Sequence, residues 1–267
     1  IKKHPLLTAV GSRRVEREGL LFHERHNQRQ GEPTVEKGFY TQTDIREIVA
    51  YASSRCIEII PEIDMPAHSN AALAACPMLA CPVVDKFIGV LPGLGGNHAD
   101  IIYCAGNENV YHFLQDVLDE VMALFPSRYI HLGGDEVSFG NEKWNSNPGV
   151  QSLMKQHNLK NLKDVEDYFL QRMADSVLKL NSKVLAWDEM ATATLPAAQS
   201  IIFWWRHDKP AQLQAALKNN YPVVLCPRIP FYFDFVQDSS HNVGRKWAGT
   251  IAALKDVYTF DASKFVS

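Results

Sequence analysis

The chain has 267 residues, 46% of them apolar and 21% charged, with a formal net charge of −3 at pH 7. That is enough chain to bury a sizeable core, in two domains or in one α/β barrel. The charge balance gives no reason to expect nucleic acid or an anionic membrane surface as a partner, and no apolar run is long enough to span a bilayer.

The chain begins at Ile1 without an initiator Met or a signal-like segment, which reads as a piece of a longer protein. Five cysteines (Cys56, Cys76, Cys81, Cys104 and Cys226) are scattered without zinc-ligand spacing and read as small buried hydrophobes. Residues 1–40 are polar and basic, with Gly11-Ser-Arg-Arg14 and the run His23 to Gln30. No period of 2 or 3.6 holds there, which predicts a long loop.

Regular organisation starts at Thr41. Thr41 and Thr43 are possible caps, and Ile45, Ile48, Val49 and Ala52 fall at helical spacing. A β-branched strand follows at 57–63, ending in Asp64-Met-Pro-Ala-His68. Val110, Phe113, Leu114, Val117, Leu118 and Val121 predict a helix stopped near Pro126, then a strand over 129–132. Leu162, Val165, Phe169, Met173 and Val177 predict another helix, followed by strand 184–187. Strand 201–205, a helix over 211–217 and strand 223–226 complete the series. Five strands, mostly with helices between them, imply parallel pairing through right-handed crossovers. Unbroken apolar runs imply strands buried on both faces.

Polar and aromatic residues gather at the C-terminal end of each strand. They are Asp64 and His68; Asp135 and Glu136; Trp187, Asp188 and Glu189; Trp204, Trp205 and Arg206; Tyr232 and Asp234. Sites collect at that edge in open α/β sheets and in (β/α)8 barrels alike. No glycine-rich phosphate fingerprint follows any strand, which argues against a dinucleotide or P-loop site and favours a barrel with an aromatic-walled pocket.

The most informative stretch is Tyr129-Ile-His-Leu-Gly-Gly-Asp-Glu136. Two glycines permit a tight exit from the strand, and where the strand ends both acids can lean toward one cavity. Adjacent carboxylates cannot ionise independently, and separated pKa values are what acid/base chemistry at neutral pH needs. An Asp-Glu pair also suits a solvated first helical turn. Trp187, Trp204, Trp205 and Tyr232 can pack against the C–H faces of a sugar while nearby acids bind its hydroxyls, although aromatics also fill cores. His68 is placed to support Glu136, and His131, inside its strand, to orient loops by hydrogen bonds. The same Asp64, His68, His131, Asp135 and Glu136 are metal-ligand types, but they match no metal-binding pattern such as His-Glu-x-x-His, so neither a metal nor another cofactor is expected.

His131-Leu-Gly-Gly-Asp-Glu136 resembles the signature of the β-N-acetylhexosaminidases of glycoside hydrolase family 20. Pro61-Glu-Ile-Asp-Met-Pro-Ala-His68 is similar to that family's third-strand motif and Leu185-Ala-Trp-Asp-Glu189 to its fifth. Phe203-Trp-Trp-Arg206 and Tyr232-Phe-Asp234 resemble the ends of the sixth and seventh strands. The resemblance implies a (β/α)8 TIM barrel. Residues 1–267 would form a single segment supplying about five central strands, and the family's first two strands and last strand would lie outside it. It also implies a retaining exo-glycosidase that removes terminal β-linked N-acetylhexosamine by substrate-assisted catalysis, through an oxazolinium intermediate.

On that resemblance Glu136 is the acid/base, while Asp135 holds the 2-acetamido group whose carbonyl oxygen attacks the anomeric carbon. Tyr232 binds the acetamido oxygen, and Trp187 with Trp205 or Trp204 walls its pocket. Asp234 binds hydroxyls, and Asp64 and His68 support Glu136. The implied partner is a glycan ending in N-acetylhexosamine, met in the periplasm or outside the cell. The alternatives are a glycan-binding barrel without turnover and a metallohydrolase.

Overall fold

The computed structural model describes residues 1–20, 25–36, 38–81, 87–91, 102–180, 182–246 and 249–266. They form two compact units, 1–184 and 185–267.

The first unit opens with a segment more ordered than a loop. Helix α1 (Leu6–Ala9) is followed by β1 (Arg13–Arg14), which pairs antiparallel with β2 (Val35–Glu36). Arg13 pins the pair, donating through Nε to Thr34 Oγ1 and through Nη2 to Thr34 O, both at 2.9 Å. Within the long loop expected over residues 1–40 lie these short elements, held by side-chain contacts that carry no periodicity. His23 and Glu24 lie outside the described residues.

Helix α2 (Gln42–Ser53) starts where the sequence predicts. Thr41 accepts the Asp44 N–H, and Asp44 accepts the Thr41 N–H in return, which satisfies two helix-end donors at once. Its apolar face is less buried than its spacing suggests. Only Ala52 is buried, and Ile48 is exposed.

The expected strand at 57–63 is corrected in the same region. Ile57 and Ile60 are exposed, and regular pairing survives only as a parallel bridge between Glu62 and His131. Around it, Ile63 N–H donates to His131 O, His131 N–H to Pro61 O and Met65 N–H to Leu132 O. A strand needs partners, and the described residues supply one only at its C-terminal end.

Helix α3 (Asn70–Ala75), which the sequence did not flag, follows the His68 turn. Helix α4 (Glu108–Met122) then delivers its predicted face: Val110, Phe113, Leu114, Val117, Leu118 and Val121 are all buried. Each such side chain contributes about 1.5–3 kcal/mol as an upper bound. β3 (Tyr129–His131) comes next, with Ile130 and His131 buried.

Helix α5 (Pro148–His157), another element the sequence did not flag, is capped by Asn147 and begins with Pro148, a pairing suited to a helix start. Helix α6 (Leu162–Lys179) buries Val165, Phe169, Leu170, Met173 and Val177, and the rings of Tyr111 on α4 and Phe169 on α6 meet at 5.0 Å. β4 (Lys183–Trp187) begins beside Arg128, whose carbonyl accepts the Lys183 N–H at 2.6 Å.

In the second unit β4, β5 (Ser200–Trp204) and β6 (Val223–Leu225) lie side by side in that order. β5 and β6 run parallel, with Ile202 opposite Val223 and Trp204 opposite Leu225. Helix α7 (Pro210–Lys218) connects them and buries Leu213 and Ala216. Short helices α8 (Arg228–Phe231), α9 (Leu254–Tyr258) and α10 (Ser263–Val266) follow. This strand–helix–strand order is the one the sequence predicts.

The cysteines do not share one environment. Cys81 and Cys104 are buried, Cys76 and Cys226 are half-buried, and Cys56 is exposed. The expectation of five buried thiols therefore holds for two of them.

Candidate active site

The turn after β3 places the first group of polar residues. Gly133 and Gly134 both take positive φ, 68° and 92°, which turns the chain sharply away from the strand. Only glycine fits at 133, because a Cβ there would lie 1.8 Å from Asp64 Oδ1. Asp64 Oδ1 also accepts the Gly134 N–H at 3.1 Å. Glu136 follows in the left-handed region at φ 56°. For a residue with a Cβ this costs on the order of 1–3 kcal/mol and is held only by its surroundings. Nothing in the sequence announces it, since the two glycines suffice for a turn.

His68 faces this acid pair from a backbone that is itself left-handed, at φ 50°. Its Nε2 lies 3.2 Å from Asp135 Oδ2 and 3.3 Å from Glu136 Oε2. Those two carboxylates raise the imidazole pKa to about 10 against the opposing effect of burial, so His68 is a cation at neutral pH. Burial by itself would raise Asp135. The hydrogen bond and charge of His68 outweigh it and leave Asp135 below the usual carboxylate range.

Asp64 goes the other way. Burial, then the neighbouring charge of Asp135, pushes it up to about 9, and it keeps its proton at pH 7. Two neighbouring acids thus hold opposite protonation states, with Asp135 the ionised one. Asp64, the protonated partner, donates a hydrogen bond to the Asp135 carboxylate.

His131 sits at the end of β3 and is buried. Desolvation lowers its pKa to about 4, so the ring is neutral, and Nδ1 accepts the Gly133 N–H at 3.0 Å. The approach of Glu62 Oε1 to the same Nδ1, at 3.4 Å, is therefore not an ion pair at neutral pH. His131 thus ties the strand to the first glycine of the turn.

The second unit holds its own cluster. Trp187 at the end of β4 is half-buried and meets the Phe203 ring edge-on at 6.0 Å. Trp204 and Trp205 separate sharply, as neighbours at a strand end must. Trp204 is fully buried, its Nε1–H donating to Lys209 O at 3.3 Å and its ring against Phe265. Trp205 instead lies parallel to Tyr232, with ring centroids 6.3 Å apart and planes 11° off. Both indoles are buried, and it is Trp205, not Trp204, that lies beside Tyr232. Asp234, two residues on from Tyr232, is exposed.

Behind Trp205 stand three charged residues that sequence reading placed at strand ends without a role. Asp188 is fully buried, and its Oδ2 accepts the N–H groups of Trp205 and Arg206, each at 3.2 Å. Arg206 Nε donates to Asp188 Oδ1 at 2.7 Å, and Nη1 lies 3.2 Å from Glu189 Oε1. Glu189 Oε2 accepts the Trp205 indole N–H at 3.2 Å. Burial is the main reason the Glu189 pKa rises to about 8; Arg206 opposes that rise and Asp188 adds to it. An acid, an acid and an arginine next to a strand-end tryptophan was the available signal.

Residues 1–267 match the model of the glycosyl hydrolase family 20 catalytic domain. A beta-hexosaminidase of Porphyromonas gingivalis is 35% identical over 262 residues, which are 98% of this chain and 31% of that protein. One of Vibrio furnissii is 32% identical over 275 residues, 98% of this chain and 41% of that protein. Among solved structures, the beta-N-acetylhexosaminidase of Bacteroides fragilis superimposes with a TM-score of 0.76 at 32% identity, covering 98% of this chain and 47% of that one. A Streptomyces plicatus beta-hexosaminidase variant in complex with product GlcNAc gives 0.74 at 27% identity, covering 100% and 46%. The chain spans between about a third and two fifths of the length of these curated relatives. Its parallel strands and helices are those of a (β/α)8 barrel fold. The chain belongs to glycosyl hydrolase family 20 and lies in that family's catalytic domain.

Proposed function

We propose that the protein is a retaining exo-β-N-acetylhexosaminidase in which the substrate's own acetamido group is the nucleophile. The observation that carries this reading is the state of Asp135. It is ionised and gripped on one oxygen by the His68 cation, with the protonated Asp64 carboxyl hydrogen-bonded beside it. A carboxylate so placed suits an N–H brought by a ligand, and an acetamido group supplies one.

The chemistry follows from those positions. Glu136 gives its proton to the glycosidic oxygen as that bond breaks, and the acetamido carbonyl oxygen closes on the anomeric carbon. Asp135 accepts the acetamido N–H and balances the positive charge of the oxazolinium ring. Glu136, now a carboxylate, takes a proton from water, which opens the ring with net retention. An internal nucleophile brings high effective molarity, so the protein orients rather than attacks. The family resemblance assigns sugar binding to Trp187, Trp205, Tyr232 and Asp234. The relatives named beta-hexosaminidase, and the S. plicatus variant with bound GlcNAc, support this substrate class.

The test is hydrolysis of a nitrophenyl N-acetyl-β-glucosaminide beside the plain β-glucoside. The acetamido substrate should turn over and the glucoside should not. Equal turnover of both would sink the reading.

A metallohydrolase is the second reading, since Asp64, His68 and Asp135 offer ligand atoms within 4.8 Å of one another. Against it, His68 is already engaged by the carboxylates of Asp135 and Glu136.

A further inference from the structure

We propose that Arg206 is a positioning residue that fixes the plane of the Trp205 indole and thereby sets which N-acyl group the site accepts. This rests on the hydrolase reading above.

Trp205 is held at both ends. Its backbone N–H donates to Asp188 Oδ2, and its indole N–H donates to Glu189 Oε2, each at 3.2 Å. These two carboxyl groups are themselves joined by one guanidinium, because Arg206 reaches Asp188 through Nε at 2.7 Å and Glu189 through Nη1 at 3.2 Å. Asp188 is fully buried, and Glu189 and Arg206 are largely so. Burial makes the arrangement exacting: without the guanidinium, Asp188 would lie desolvated without a counter-charge and Glu189 would lose the partner of its second oxygen. Glu189 would then swing out, and the acceptor facing the indole would move with it. A planar guanidinium can bridge two carboxylates at fixed geometry, which a flexible ammonium cannot.

Tyr232 lies parallel to the ring so held, and the Arg228 guanidinium carbon is 5.0 Å from the indole centroid. The indole therefore has little freedom to tilt. A wall with a fixed plane discriminates by size, so an acetyl methyl fits where one more methylene meets the ring. Discrimination against one methylene is worth roughly 10–200-fold in such a pocket.

The experiment compares kcat/KM for N-acetyl and N-propionyl β-glucosaminides in the full-length protein, its Arg206→Lys and Arg206→Met variants, and Glu189→Gln and Glu189→Leu. The unaltered protein should prefer acetyl by roughly 10-fold or more. Arg206→Lys and Arg206→Met should lower that ratio several-fold, and Glu189→Leu should do the same. Glu189→Gln keeps an acceptor for the indole N–H and should retain most of the preference. Variants that lose activity equally on both substrates, with the ratio unchanged, would overturn the inference and leave the hydrolase reading standing. Unaltered protein inactive on both substrates would overturn the two together. A variant too unstable to assay would be replaced by Glu189→Gln against Glu189→Leu, whose ratios must differ if the indole hydrogen bond sets the wall.

Discussion

The Asp64 carboxyl group occupies the space that a side chain at Gly133 would need. A Cβ at 133 would stand 1.8 Å from Asp64 Oδ1 and 2.8 Å from Asp64 Cα. The turn that presents Asp135 and Glu136 is thus fitted to the strand end that presents Asp64, and the Gly134 N–H donates into the same carboxyl at 3.1 Å. Gly133→Ala should cost roughly 1–3 kcal/mol from the positive φ alone, with displacement of Asp64 on top. Urea unfolding would measure the loss. Activity should fall further than stability explains, because the acid pair moves. A variant with unchanged midpoint and rate would contradict this fit.

His68 should be a cation well above neutrality. Its imidazole is raised to about 10, chiefly by hydrogen bonds to Asp135 and Glu136. For a group raised on folding, the associated stability is complete below the unfolded value, about 6.5. It is lost as pH climbs from there through about 10, because the folded state keeps a proton that the unfolded state has released. Histidine-selective NMR should find the His68 ring protonated at pH 8. A midpoint near 6.5 would show that the two carboxylates do not hold it.

Asp135→Asn tests the holder role. The amide removes the negative charge that faces the oxazolinium and turns an acceptor into a group with donors of its own. The rate on acetamido substrates should fall by about 10²–10³, the scale of losing one aimed electrostatic contact in a catalytic site. Azide should not restore it by attacking the anomeric carbon. Rescue of that kind, with a β-glycosyl azide as product, would make Asp135 a nucleophile.

Stability of the second unit has a separate handle in Tyr221. Its buried hydroxyl accepts the Leu195 N–H at 2.9 Å and donates to Ala193 O at 2.7 Å. Tyr221→Phe strands a buried donor and should cost about 1–3 kcal/mol. Denaturant titration would read it, and a change below a few tenths would mean that water replaces the hydroxyl.

Much of this was legible in the residues, and the exceptions have physical causes. Thr41 with Asp44, and the spacing of Val110 to Val121, act within one helix, so local pattern was sufficient for both. The run at 57–63 reads as a buried strand. Yet a strand's burial depends on neighbours, and Ile57 and Ile60 are left exposed among the described residues. The grouping of Asp64, His68, Asp135 and Glu136 was readable because each ends an element facing one edge. Which of the acids would keep its proton was not, since that depends on ångström-scale placement of His68. The choice between Trp204 and Trp205 stayed open for the same kind of reason. Consecutive residues point to opposite sides of a strand, and only the fold says which of two buried indoles lies beside Tyr232.

The most direct test of the central claim, that the substrate supplies the nucleophile, is a series of nitrophenyl glucosaminides carrying zero, one, two and three fluorines on the acetyl group. Each fluorine weakens the carbonyl oxygen while leaving the glycosidic bond and the leaving group in place. If that oxygen attacks the anomeric carbon, kcat falls steeply and progressively along the series. A flat series would mean that a protein group or water attacks instead, and would contradict the account.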